Sequence, residues 1–179
     1  HGPVWRDDFP YLLDKYQRWS TYTPEEKGVL IAYSSMYGNT EAAAQNLASK
    51  LCEKGVTNIR VCDVSSTHVS ELISQTFKLS HLVLASVTYN LGIYPVMLDF
   101  LEHMKALHVQ KRTIALIENG SWAVKSGDLM QEFIDNNLAD MTILNERLSL
   151  ASAMHDDKAV ELEHLADALV ESINNADVK

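Results

Sequence analysis

The chain reads as an α/β domain built on a parallel sheet with helices on both faces, and three observations carry that expectation. From Val29 onward, short apolar runs alternate five times with longer amphipathic stretches, the pattern left by βα units packed on a parallel sheet. Four of the five apolar runs are rich in Val, Ile and Leu with little alternation of polarity, as strands covered on both faces must be. The amphipathic stretches also carry helix start and stop chemistry at their ends.

Taken in order, the predicted strands span 29–34, 58–63, 81–86, 111–118 and 140–148, and the predicted helices 40–54, 68–76, 94–105, 124–136 and 158–173. Thr40 followed by Glu41 is read as an N-cap with an acid in the first turn, Gly55 ends that helix, and Pro95 sits where a first-turn proline is tolerated. Upstream, Leu12, Leu13, Tyr16 and Trp19 recur at helical spacing over 11–20, and 21–28 reads as a polar linker with Pro24 and Lys27. The expected organisation is therefore an appendage over 1–27 and the main domain over 28–179. No internal repeat or low-complexity segment is visible.

Bulk properties exclude several function classes. With 179 residues, 46% of them hydrophobic, the chain can bury one sizeable core. A formal net charge of -9 and a pI near 5.1 argue against a nucleic-acid or anionic-membrane surface, because phosphate contacts need clustered Lys and Arg. No apolar run approaches the roughly 20 residues of a membrane span. Cys52 and Cys62 lack the spacing of a disulfide framework or zinc site and are expected to be buried thiols, which fits a reducing compartment such as the cytoplasm.

The loop after the first strand, Ser34-Ser35-Met36-Tyr37-Gly38-Asn39-Thr40, lies between an apolar strand and a helix start. A helix N-terminus presents unpaired N–H groups and a partial positive charge, so hydroxyl and amide side chains there can complete a cage for a phosphate. The loop holds no Lys or Arg, which points to a terminal monophosphate on a flavin. Neither a P-loop nor a dinucleotide fingerprint is present, so ATP and NAD are not expected at this loop. A polar turn that binds nothing is the alternative.

Tyr33-Ser-Ser-Met-Tyr-Gly-Asn-Thr40 resembles the phosphate loop of flavodoxins, and more closely the version found in flavodiiron proteins. The resemblance implies a flavodoxin-like, doubly wound, five-stranded sheet of order 2-1-3-4-5, with FMN as cofactor. It assigns Ser35, Met36, Tyr37, Gly38, Asn39 and Thr40 to the FMN phosphate. Flavodoxin is itself a type example of the rule that ligands bind beyond the carboxyl ends of the strands at the switch point, so the loops after strands three and four should contribute too. In Ser86-Val-Thr-Tyr-Asn-Leu-Gly-Ile-Tyr-Pro95, Thr88, Asn90 and the backbone near Gly92 could meet the ribityl chain and the polar edge of the flavin, with Tyr89 or Leu91 against the ring. In Glu118-Asn-Gly-Ser-Trp-Ala123, Asn119, Gly120 and Ser121 frame Trp122, whose indole suits stacking on an isoalloxazine plane. Flavodiiron proteins carry a similar Trp, usually between glycines; here Ser121 and Ala123 flank it. Packing roles for these aromatics are the alternative.

His1-Gly-Pro-Val-Trp-Arg6 resembles the end of the β-lactamase-like diiron domain of flavodiiron proteins, which implies that His1 is a metal ligand in a longer parent protein and a bystander in this segment. One imidazole cannot hold two irons. A residual cloning histidine is the other reading. His68, His81, His103, His108, His155 and His164 are scattered over different elements and are expected to serve surface or core roles.

The resemblance implies an electron-transfer domain of a flavodiiron oxygen or nitric oxide reductase. Such a domain takes electrons from a donor such as rubredoxin or a reductase and relays them to an upstream diiron domain, within a head-to-tail homodimer, and alone it reduces neither gas. A receiver-type domain shares the fold but needs acids where Ser34 and Ser86 stand. A flavin-free interaction module and a free-standing flavin quinone reductase are the further alternatives.

Overall fold

A computed structural model of the chain describes residues 4–178; His1 lies outside them. The elements follow in the order α1 (Phe9–Ser20), β1 (Glu26–Ser34), α2 (Asn39–Glu53), β2 (Ile59–Asp63), α3 (Val69–Lys78), β3 (Leu79–Tyr89), β4 (Gly92–Ile93), α4 (Pro95–Ala106), β5 (Thr113–Asn119), α5 (Ser126–Asn137), β6 (Thr142–Leu150) and α6 (Ala159–Asn175). The five expected strands pair in parallel in the order β2-β1-β3-β5-β6, which is the predicted topology. The short β4 was not expected; it pairs antiparallel with the end of β3.

The missing polarity alternation in the strands has a direct cause. Along β1, Val29, Ile31 and Tyr33 face one buried cluster with α2 and α6, while Leu30 and Ala32 face a second cluster with α3, α4 and α5. The same division recurs in β3 and β5, where Val83, Ala85, Ala115 and Ile117 face the first cluster and Leu82, Leu84, Ile114 and Leu116 the second. Each side chain is removed from water whichever way it points, which at about 25 cal/mol per Å² makes the central strands the main source of stabilisation.

Several boundaries differ from expectation for identifiable reasons. The supposed linker is docked chain. The Glu25 amide donates to the Lys78 carbonyl, Glu26 pairs with Leu79, and β1 accordingly starts at Glu26. β3 runs on through Thr88 and Tyr89, because Asn90 and Leu91 both take positive φ, 48° and 61°, and turn the chain back in a two-residue hairpin. β5 and β6 start two residues later than read, after Lys111 (φ 58°) and Asp140 (φ 52°), and the Lys111 amide donates to the Asp140 carbonyl. Cys52 is exposed in the last turn of α2 and Cys62 only half-buried, so the expectation of two buried thiols fails for the first; burial pushes the Cys62 thiol up.

The arm before β1 is fastened by Arg112, which is 2% exposed. Its guanidinium donates to the carbonyls of Thr76, Phe77, Tyr22, Gln110 and Lys111 at 2.7–3.1 Å. Thr76 and Phe77 stand in the last turn of α3, so the cation meets the negative end of that helix rather than a carboxylate. Burial lowers the Arg112 pKa to about 10, which leaves it charged at neutral pH.

Candidate functional site

Because the five main strands are parallel, their carboxyl ends share one edge, and the loops that follow β1, β3, β5 and β6 meet there. Ser35, Met36, Tyr37, Asn39, Thr40, Val87, Thr88, Asn119, Gly120, Ser121 and Ser152 line one cavity of about 100 Å³. Small-molecule pockets usually exceed about 300 Å³, so this cavity can enclose a terminal polar group and leave the rest of a ligand across its mouth. Tyr37 of its lining is exposed, as are Tyr89 and Leu91 at the end of β3 and the turn after it, and Trp122 in the loop after β5 is 100% exposed.

The floor of the cavity is the N-terminus of α2. Gly38, with φ 86°, is its N-cap, not Thr40 as the sequence indicated, and no side chain caps the helix. The Gly38 amide donates to Ser35 Oγ and the Ala42 amide to the Gly38 carbonyl. The intervening amides of Asn39, Thr40 and Glu41 have no acceptor among the described residues. Thr40 is buried in the first turn and so supplies a hydroxyl rather than a cap. Glu41, an acid in that turn, accepts from the Tyr33 hydroxyl at 3.2 Å. Burial, with this hydrogen bond second, pushes the tyrosine up to about 12.

Two other helix starts at this edge, those of α3 and α5, are capped by side chains. His68 caps α3 by accepting from the Ser70 amide. At α5, Thr88 Oγ1 accepts from the amides of Lys125 and Ser126, the Ser126 hydroxyl donates to the Ser86 carbonyl, and Glu118 accepts from the Gly127 amide. Proline opens α4. Among the starts of α2, α3, α4 and α5, the longest run of free donors is therefore at α2, where a backbone anion site forms without any cationic side chain.

Asn119, a buried member of the cavity lining, is engaged by protein partners. Its amide exchanges two hydrogen bonds with the Ser152 backbone, at 2.9 and 3.0 Å, and reaches Thr40 Oγ1 at 3.4 Å. Gly120 follows because a Cβ there would stand 2.1 Å from the Ala123 carbonyl oxygen. Of the expected residues, Asn90, Leu91 and Gly92 form the β3–β4 hairpin and do not line the cavity, and Trp122 stands clear of it. Ser152 was not anticipated: it lies beyond the last strand, in no motif, with φ 77°. Glu118, read only as the end of a strand, proves to be a helix cap 3.7 Å from Arg147. Ser34 and Ser86 are buried and hydrogen-bonded to each other at 3.2 Å, which leaves the receiver-type reading without its acids.

A cavity of about 490 Å³ opens at the opposite edge between Thr113, Leu144, Glu146, Glu171, Ser172 and Asn175. Its two glutamates repel phosphate, and it stands apart from the loops described above. Among the described residues no cluster of His, Cys, Asp or Glu could hold a metal ion, and no helix is long and apolar enough to cross a membrane.

No protein-family model matches the chain. It is 27% identical over 143 residues to the rubredoxin-oxygen oxidoreductase of Megalodesulfovibrio gigas, covering 79% of this chain and 35% of that protein. It is 26% identical over 133 residues to an anaerobic nitric oxide reductase flavorubredoxin of Aeromonas salmonicida, covering 73% and 25%. In structure it resembles the rubredoxin oxygen:oxidoreductase of Desulfovibrio gigas, with a TM-score of 0.83 at 19% identity over 92% of this chain and 40% of that one. The flavodiiron protein of Giardia intestinalis gives 0.79 at 19% identity over 97% and 44%. A flavodoxin from the domain Archaea gives 0.69 at 19% identity over 83% of this chain and 99% of that one. The homologues are thus flavodiiron proteins, the fold is flavodoxin-like, and the chain spans about a third or less of the length of the curated relatives it matches.

Proposed function

We propose that the chain is an FMN-binding electron-transfer module, the flavodoxin-like part of a flavodiiron oxygen or nitric oxide reductase. One observation carries the reading: at the edge where parallel sheets bind ligands, the start of α2 offers three successive amides without partners among the described residues, and they adjoin a cavity sized for a phosphate. The donor set fits the group. Ser35, Asn39 and Thr40 side chains and the α2 amides would hold the phosphate by neutral donors and the helix dipole. Thr88, with its oxygen engaged by two amides, keeps one O–H to donate into the cavity. Met36 and Tyr37 of the cavity lining, with Tyr89, Leu91 and Trp122 exposed on the neighbouring loops, are the surfaces on which the ring would rest. Asn90 and Gly92 would present hairpin backbone to its polar edge, while Asn119, Gly120 and Ser121 shape the β5 loop.

FMN supplies one- and two-electron chemistry when bound, and the residues of this chain bind, orient and shield it. The uncharged phosphate cage leaves the ligand's own negative charge in place, within a chain of net charge -9. In the longer protein, residues 1–27 would comprise the tail of a β-lactamase-like diiron domain, with His1 as a ligand there, followed by a helix and a connecting segment. A donor such as rubredoxin or another reductase delivers electrons, and subunits pair head to tail in the cytoplasm. The names of the homologues, one of them a rubredoxin-oxygen oxidoreductase, support this finer reading.

Absorbance of the purified protein and of the protein mixed with FMN tests the core of it. Uptake of one FMN per chain, with quenched flavin fluorescence, is the expected result. A colourless protein that takes up none favours the flavin-free interaction module instead.

A further inference from the structure

The start of α2 carries an acid placed to close it. Counted from the N-cap Gly38, Glu41 is the third residue of the helix, the place from which a glutamate side chain folds back to cap the amides of its own first turn. The helix end favours that fold-back, because its partial positive charge attracts carboxylates and the amides of Asn39, Thr40 and Glu41 have no acceptor among the described residues. Yet no side chain caps α2, and Glu41 does not line the cavity.

The acid is engaged elsewhere, by Tyr33. This residue stands one place before the end of β1, on the face covered by α2 and α6, and is only 7% exposed. Packing of the ring therefore fixes where its hydroxyl can reach, and the hydroxyl donates to Glu41 Oε1 at 3.2 Å. Asp63, the neighbour of Tyr33 on β2, does not compete for that proton, since its carboxylate accepts from the amide and hydroxyl of Ser65. With its pKa pushed up to about 12, chiefly by burial, the tyrosine stays a donor at every physiological pH.

We propose that Tyr33 is a positioning residue that keeps the Glu41 carboxylate off the free amides of α2, so that this site binds a phosphate-bearing ligand more tightly. The inference rests on the reading of that helix start as a phosphate site and adds what keeps it open to an anion. Phosphate and Glu41 compete for the same N–H groups, and the buried hydroxyl biases the competition. No Lys or Arg lines the cavity, so nothing there offsets a carboxylate that turned in. It would occupy the donors and repel the phosphate as well.

Flavin titration and amide exchange test this on the native chain, on Tyr33→Phe, and on Tyr33→Phe combined with Glu41→Ala. FMN and riboflavin, which differ only in the phosphate, are each titrated by fluorescence quenching. Tyr33→Phe should lower FMN affinity about tenfold, the range of a helix-cap interaction, and leave riboflavin affinity unchanged. Adding Glu41→Ala should restore FMN binding although the tyrosine hydroxyl is still missing. In the ligand-free chain, amide exchange at Asn39 and Thr40 should slow in Tyr33→Phe, where the carboxylate caps them, and recover in the double variant. A loss that strikes riboflavin equally, or that persists without Glu41, assigns Tyr33 to packing and overturns the proposal. So does exchange that Tyr33→Phe leaves untouched. The exchange measurement needs no ligand, so it decides the role of Tyr33 even for a native chain that takes up no FMN, a result that overturns the flavin reading instead.

Discussion

Acidification should cost this fold stability through one histidine. His81, at the start of β3, is 1% exposed and makes two hydrogen bonds of 2.8 Å, from Nδ1 to Ser80 Oγ and from Nε2 to Ser172 Oγ. Ser80 Oγ also donates to the Gly28 carbonyl, so it is free to accept from Nδ1–H, and Ser172 then donates to Nε2. Neutral imidazole satisfies this chain of bonds; imidazolium must donate at both nitrogens and carry its charge out of water. Burial accordingly lowers the His81 pKa from 6.5 to about 4. Between those values the unfolded chain binds the proton and the folded chain does not. The stabilisation is therefore complete above pH 6.5, falls as pH drops through the window, and levels off below about 4. At 1.36 kcal/mol per unit the full effect is about 3 kcal/mol, a large share of the 5–15 kcal/mol that holds a typical domain together. Urea unfolding at several pH values, compared between the native chain and His81→Asn, isolates it, because only the difference between the two pH profiles is attributed to the imidazole. The native chain should lose about 2 kcal/mol more than the variant between pH 7 and 4.5. Parallel profiles, or a His81 ring resonance that titrates near pH 6.5, refute the reasoning.

Three further outcomes follow from the loops of the site. Trp122→Ala should leave the melting temperature within about a degree, because the side chain touches nothing in the free protein, yet lower FMN affinity and shift the flavin potential, which titration and redox potentiometry read out. Gly120→Ala places a methyl group against the Ala123 carbonyl at 2.1 Å, so the turn must open; FMN affinity should drop about tenfold or more, by fluorescence titration. Thr88→Val removes the acceptor for two amides at the start of α5 and should cost about 1–3 kcal/mol in chemical denaturation.

Much of the architecture was legible because strands buried on both faces must be apolar throughout, and helices must alternate with them. The loops after β1 and β5 were legible because their small and polar residues stand directly after such runs. What escaped notice depends on backbone angles without a residue signature. Leu91 at φ 61° makes a hairpin turn that a glycine or Asn-Gly pair would have announced, and Lys111 and Asp140 delay their strands in the same way. Asn119 was assigned to the ligand on its type, but its partners at Ser152 and Thr40 come from distant parts of the chain, and no local pattern encodes that. The reading of 21–28 as a linker failed similarly, since its polarity gives no hint of a guanidinium contributed by Arg112.

That guanidinium has a consequence for how such a chain can vary. All five of its acceptors are main-chain oxygens, so the side chains at Tyr22, Thr76, Phe77, Gln110 and Lys111 can be exchanged without touching any of its bonds. The guanidinium's share of the join between arm and domain thus depends on one codon rather than on a co-varying pair. Its own bonds tolerate drift in the surrounding side chains, while exchange of the arginine itself, even for lysine, should loosen the arm and leave it to the Lys111 bond to Thr21 and the backbone bonds of Glu25 and Glu26, because only a planar fork addresses so many oxygens at once.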